Sequence, residues 1–154
     1  MSHTGELPPG GFDSVRGSPA QHFQGIVTKM QDALMRGDLD TYCSYLAEDF
    51  EFADSGAPRV LTTLSDVRAF LTKMLGVFAQ CESVGFATQT CYTYVPNHHL
   101  APFSRLRARV AMVFSMAIRK ANDEHITVDG VDVFEFVDDK IVRLTSYYHP
   151  PTLP

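Results

Sequence analysis

The sequence predicts an α+β domain: three helices in its N-terminal half, then a mainly antiparallel sheet. Two observations carry this. Apolar residues recur at helical spacing up to about Phe78, and after Gln80 the period changes to two. Short polar turns then divide the second half into successive strands.

The 154 residues suffice for one domain with a substantial core, without help from metals or disulfides. We place that domain at residues 18–150. Residues 1–17, rich in Gly, Pro and Ser, read as an N-terminal arm, and residues 151–154 as a tail. Cys43, Cys81 and Cys91 are odd in number and lack paired spacing. Free thiols in a reducing cytoplasm are the simplest expectation. A net charge of −5 and the lack of a basic cluster disfavour nucleic acid as a partner. No apolar run approaches the roughly 20 residues of a membrane span, and the start lacks the pattern of a signal peptide.

The first helix begins at Ser18-Pro19-Ala20-Gln21. Ser18 can cap it, Pro19 suits its first position and Gln21 completes a capping box. Phe23, Ile26, Val27, Met30 and Leu34 form its apolar face, and Gly37 ends it. A shorter helix starts near Asp38, with Leu39, Tyr42 and Leu46 inward and Glu48-Asp49 at its close. A short strand over Phe50 to Ala53 and a turn over Asp54 to Pro58 follow. The third helix runs from about Ser65 to Phe78, burying Val67, Phe70, Leu71, Met74 and Phe78. Strands are predicted at about Ser83–Tyr94, Phe103–Ile118, His125–Val137 and Ile141–His149. Such a sheet curls around its helices and leaves a cavity, the default ligand site.

Asp132 is the most informative residue. By alternation it shares a strand face with Ile126, Val128, Phe134 and Phe136. An acid there must be protonated or paired. Desolvation raises its pKa, so it can stay neutral and donate a hydrogen bond. Alternatively the strand is one-sided and Asp132 reaches water or a cross-strand partner. A three-residue loop, Val137-Asp138-Asp139, would pair Phe136 with Lys140, Phe134 with Val142 and Asp132 with Leu144. Ser146 and Tyr148 then join the same face. A two-residue loop would set Phe134 opposite Arg143. The three-residue loop is preferred because it groups the apolar residues. Asp54, the second carboxylate, reads on its own as a turn residue.

The order of Gly37-Asp38-Leu39, Ala47-Glu48-Asp49-Phe50-Glu51-Phe52-Ala53-Asp54, Val131-Asp132-Val133-Phe134-Glu135-Phe136 and Tyr147-Tyr148 resembles the nuclear transport factor 2-like superfamily. Within it, the chain is most similar to ketosteroid isomerases and SnoaL-like cyclases, over about Pro19 to His149. The resemblance implies a cone-shaped fold with three helices packed in the concave face of the sheet. It implies Asp54 as catalytic base and Asp132 as a protonated oxyanion donor, the division of labour of the ketosteroid isomerases. Met30 stands where that pattern has a hydrogen-bonding tyrosine, and methionine cannot donate. Tyr45 and Tyr148 are candidate replacements, each equally readable as an ordinary amphipathic core residue. A ketosteroid isomerase reaction itself is therefore not expected.

The expected function is cofactor-independent isomerisation or cyclisation of a small apolar, natural-product-like substrate by acid–base catalysis. Candidates to line the pocket are Phe23, Met30, Leu34, Tyr45, Phe70, Met74, Phe114, Phe134, Leu144 and Tyr148. Alternatives are a non-catalytic binding or dimerisation module, and epoxide hydrolysis or dehydration. Epoxide opening would need Arg107 or Arg109 inside the cavity; an exposed or dimer-facing row is the simpler reading. His98-His99, His149, His22 and His125 show no metal-binding spacing. The resemblance also implies a homodimer through the outer sheet face.

Overall fold

A computed structural model describes residues 18–96 and 105–149. The expected arm at 1–17, the tail at 151–154, His98-His99 and the proposed start of a strand at Phe103 lie outside the described residues.

Three helices precede and flank one five-stranded sheet: α1 (Pro19–Met35), α2 (Leu39–Ser44), β1 (Leu46–Asp54), α3 (Leu64–Phe78), β2 (Ser83–Tyr94), β3 (Arg107–Arg119), β4 (His125–Val137) and β5 (Lys140–Tyr148). The strand order is β1-β5-β4-β3-β2. β1 is parallel to β5, and the remaining pairs are antiparallel.

Local chemistry explains the helix boundaries. Ser18 and Gln21 form the reciprocal capping box, with Pro19 at the first position. Gly37 takes φ 79, a left-handed conformation that glycine adopts freely. Asp38 caps α2 and Thr63 caps α3 through their side-chain oxygens. The second helix is shorter than its apolar pattern implied. It ends at Ser44, and Leu46, Glu48 and Asp49 belong to β1. Pairing with β5 draws this segment into the sheet, with a register irregularity between Leu46 and Glu51.

The β4–β5 hairpin also departs from expectation. The loop has two residues, Asp138 and Asp139, with Val137 opposite Lys140 and Phe136 opposite Ile141. Asp138 takes φ 54, and its carboxylate accepts from the Leu106 backbone N–H. The register then shifts by one residue, so Phe134 is opposite Leu144 and Asp132 opposite Ser146, rather than opposite Val142 and Leu144 as the three-residue loop would have set them. The bulge thus groups the apolar residues as the longer loop would have done.

The apolar stripe of α1 serves two regions. Phe23, Val27 and Met30 are fully buried in the main core with Val110, Phe134 and Phe136. Phe23 packs on Phe136 with ring centroids 4.9 Å apart. Further along α1, Gln31, Leu34 and Met35 face an internal cavity.

Candidate active site

The cavity has a volume of about 390 Å³, toward the lower end of the roughly 300–1,000 Å³ range of small-molecule pockets. The second halves of α1 and α3 cover it. Its floor is the end of the sheet where β3 finishes and β4 begins. Its wall is mainly apolar and includes Leu71, Met74, Phe86, Phe114, Met116 and Leu144. No Lys, Arg or His is among the described residues that line it.

Asp54 and Asp132 both line this cavity. Sheet register aligns them. Asp54 at the end of β1 is opposite Ser146 of β5, and Ser146 is opposite Asp132 of β4. The three residues form a row across three strands, so the aspartate backbones stand about 10 Å apart, two strand spacings. Both carboxylates and the Ser146 hydroxyl between them line the same cavity.

Their environments differ. Asp54 Oδ1 accepts from the Tyr148 hydroxyl at 2.6 Å and from the Gly56 N–H at 2.8 Å. Among the described residues nothing hydrogen-bonds its Oδ2. Burial raises the Asp54 pKa, while the bonds from Tyr148 and Gly56 act in the opposite direction. Asp132 is pushed up to about 7, first by desolvation. The nearby Asp54 charge adds to this, whereas Ser146 and Gln31 oppose it. Ser146 Oγ bonds Asp132 Oδ1 closely, and Gln31 Nε2 donates to Oδ2 at 3.4 Å. Desolvation, with the negative carboxylate of Asp54 accepting its bond, also raises the Tyr148 hydroxyl pKa far above the ordinary tyrosine range.

A glycine makes the Asp54 arrangement possible. A Cβ at Gly56 would stand 2.6 Å from the Tyr148 hydroxyl oxygen and 3.2 Å from Asp54 Oδ1. Gly130, opposite Tyr148, similarly admits the Phe114 ring, which would lie 2.5 Å from an added Cβ.

Of the residues expected to line the pocket, Leu34, Met74, Phe114, Leu144 and Tyr148 do so. Phe23, Met30 and Phe134 do not, because this face of α1 packs into the main core with Val110 and Phe136. Phe70 instead packs edge-on against Phe52, and Tyr45 occupies the C-terminal cap of α2. Arg107 and Arg109 are exposed and outside the cavity, with Arg109 3.4 Å from Glu135. His149 is exposed, and His22 pairs with Asp139 at 2.8 Å. Among the described residues no group of three His, Cys, Asp or Glu side chains could hold a metal ion.

Sequence reasoning missed Gln31 and Tyr42 as cavity residues. Both signals were available. Gln31 stands four residues after Val27 on the apolar stripe of α1, and Tyr42 was on the inward face of α2.

The SnoaL-like domain model matches residues 27–144. The chain belongs to the SnoaL-like family. Solved structures agree on its nuclear transport factor 2-like fold. A candidate polyketide cyclase from Xanthomonas campestris pv. campestris is 21% identical, with TM-score 0.60, covering 86% of this chain and 93% of that one. A nuclear transport factor 2-like protein of unknown function from Burkholderia pseudomallei is 16% identical, with TM-score 0.61, covering 82% and 90%. TerC, co-crystallised with polyporic acid, is 13% identical, with TM-score 0.62, covering 82% and 91%. At these identities the likeness is one of fold. No curated protein matches the sequence significantly. Among the described residues no helix is long and apolar enough to cross a membrane.

Proposed function

We propose that this SnoaL-like protein catalyses an isomerisation or cyclisation that begins with loss of a proton beside a carbonyl group. The observation that carries the reading is the row Asp54–Ser146–Asp132 across one cavity, with the two carboxyls in different environments. Asp54, through its unbonded Oδ2, takes the proton from carbon. The C–H electron pair moves into the forming C=C bond, and the carbonyl π pair moves onto oxygen. Asp132, protonated, donates a hydrogen bond to that oxygen. The enolate then recovers a proton at a second carbon or attacks an internal electrophile. A mainly apolar wall, with no cation among the described residues that line it, suits a neutral, compact substrate. The cyclase-named neighbour supports this class of chemistry.

The test uses 2-tetralone, a small apolar ketone, in D₂O. The protein should accelerate deuterium incorporation beside the carbonyl, as followed by NMR. Asp54→Asn should lower that rate by about 10²–10⁴-fold with an unchanged melting temperature. Equal exchange by the folded variant would remove Asp54 as the base.

A further inference from the structure

Among the described residues, six polar ones line the cavity: Gln31, Tyr42, Asp54, Asp132, Ser146 and Tyr148. Five belong to two hydrogen-bonded groups. Gln31 and Ser146 hold Asp132, and Tyr148 holds Asp54. Tyr42 is the sixth. It is 2% exposed, and no described residue hydrogen-bonds its hydroxyl. A buried phenol without a partner forgoes a bond it would have in water, so native structures usually supply one. Its electrostatic interactions extend to both Asp132 and Asp54, placing it within the field of the two acids.

We propose that the Tyr42 hydroxyl is a substrate-binding donor, which bonds an acceptor oxygen of a neutral ligand held between Asp54 and Asp132. The inference rests on the acid–base reading for its site and adds a residue and a ligand requirement to it. Burial and the two aspartates push the Tyr42 pKa well above the ordinary tyrosine range, so the hydroxyl keeps its proton and can donate. The ligand needs an oxygen that accepts, such as a ketone or quinone carbonyl. Carboxylates and phosphates are disfavoured, because among the described residues two aspartates and no cation line the cavity. The short helix α2, fixed by its Asp38 cap, holds this residue in place.

The test compares 2-tetralone with tetralin, the hydrocarbon lacking the oxygen, on the full-length wild type and Tyr42→Phe. The variant keeps the ring and its packing. Tyr42→Phe should weaken 2-tetralone binding about 2- to 10-fold, the value of one neutral hydrogen bond, and leave tetralin binding within about 2-fold. The carbonyl stretch of bound 2-tetralone should move to higher frequency in the variant. A melting temperature equal to or above that of wild type is expected, since the hydroxyl has no structural partner among the described residues. Equal losses for both ligands, or no loss and an unmoved carbonyl stretch, would overturn the proposal. The outcomes separate the two readings. Wild-type protein that binds the ketone through Tyr42 but catalyses no deuterium exchange refutes the acid–base reading alone. Exchange that requires Asp54, with ketone binding indifferent to Tyr42, refutes this proposal alone.

Discussion

Tyr148 reaches Asp54 because residue 56 has no side chain. The Gly56 N–H completes the contact by donating to the same carboxylate oxygen. Gly56→Ala would force the Tyr148 hydroxyl away, since 2.6 Å is below any normal Cβ contact. The lost bond is one that stabilises ionised Asp54, so the Asp54 pKa should rise further. Below neutral pH less of the base would then be ionised. We expect 2-tetralone exchange by Gly56→Ala to fall roughly 3- to 10-fold on the acid side of the profile, with its acid limb displaced to higher pH. Tyr148→Phe should reproduce the displacement; an unmoved limb in both variants would show that the bond does not tune Asp54. At this scale Asp132 was legible because alternation alone sets an acid among apolar neighbours. The Asp54 environment was less so: its partners Gly56 and Tyr148 are 92 residues apart in sequence, and only the β1–β5 pairing brings them together.

Among the elements, the start of α1 was read accurately from its Ser18–Gln21 capping box, because capping is local chemistry. The β1 strand was underestimated, since its pairing with β5 is a long-range contact that local pattern cannot report. The hairpin illustrates how burial overrides turn length. A tight two-residue loop is retained, and a bulge supplies the missing residue so that Asp132, Phe134 and Leu144 keep the inner face. The outer face has its own composition. Thr90, Val113, Val131 and Tyr147 form one cross-strand row, and Tyr92, Ala111, Val133 and Thr145 the next. Tyr92, Tyr147 and Val113 in these rows are exposed. Beside them Arg109, Glu135, Arg143 and Glu51 form a row of alternating charge, with Arg143 2.5 Å from Glu51. We propose this face as the surface of a homodimer. Sedimentation at micromolar concentration should give a dimer, and Val113→Asp, placing a charge in the apolar rows, should weaken association at least tenfold. A monomeric wild type would contradict the assignment.

For the molecule as a whole, the order of elements made the fold legible, and the curl of the sheet made a cavity predictable. Its location was harder to read. The sequence shows one continuous apolar stripe on α1, and only packing reveals that Met30 fills the core while Leu34, four residues on, borders open space. Met30 is buried in the core and cannot donate, whereas Tyr42 on α2 is a buried phenol that lines the cavity. The net charge of −5 does not bear on the reaction; the absence of cations among the described residues that line the cavity does, because it lets Asp132 remain protonated near neutrality.

That condition gives the account its central claim: one acid must be ionised while the other is protonated. The pH dependence of 2-tetralone exchange tests it most directly. The wild-type rate should rise as Asp54 ionises, at a pH raised from the usual aspartate value, and fall as Asp132 loses its proton at about 7. Asp132→Asn, whose amide donates without titrating, should abolish the alkaline fall while keeping the acid limb. An alkaline fall that persists at the same pH in Asp132→Asn would contradict the account.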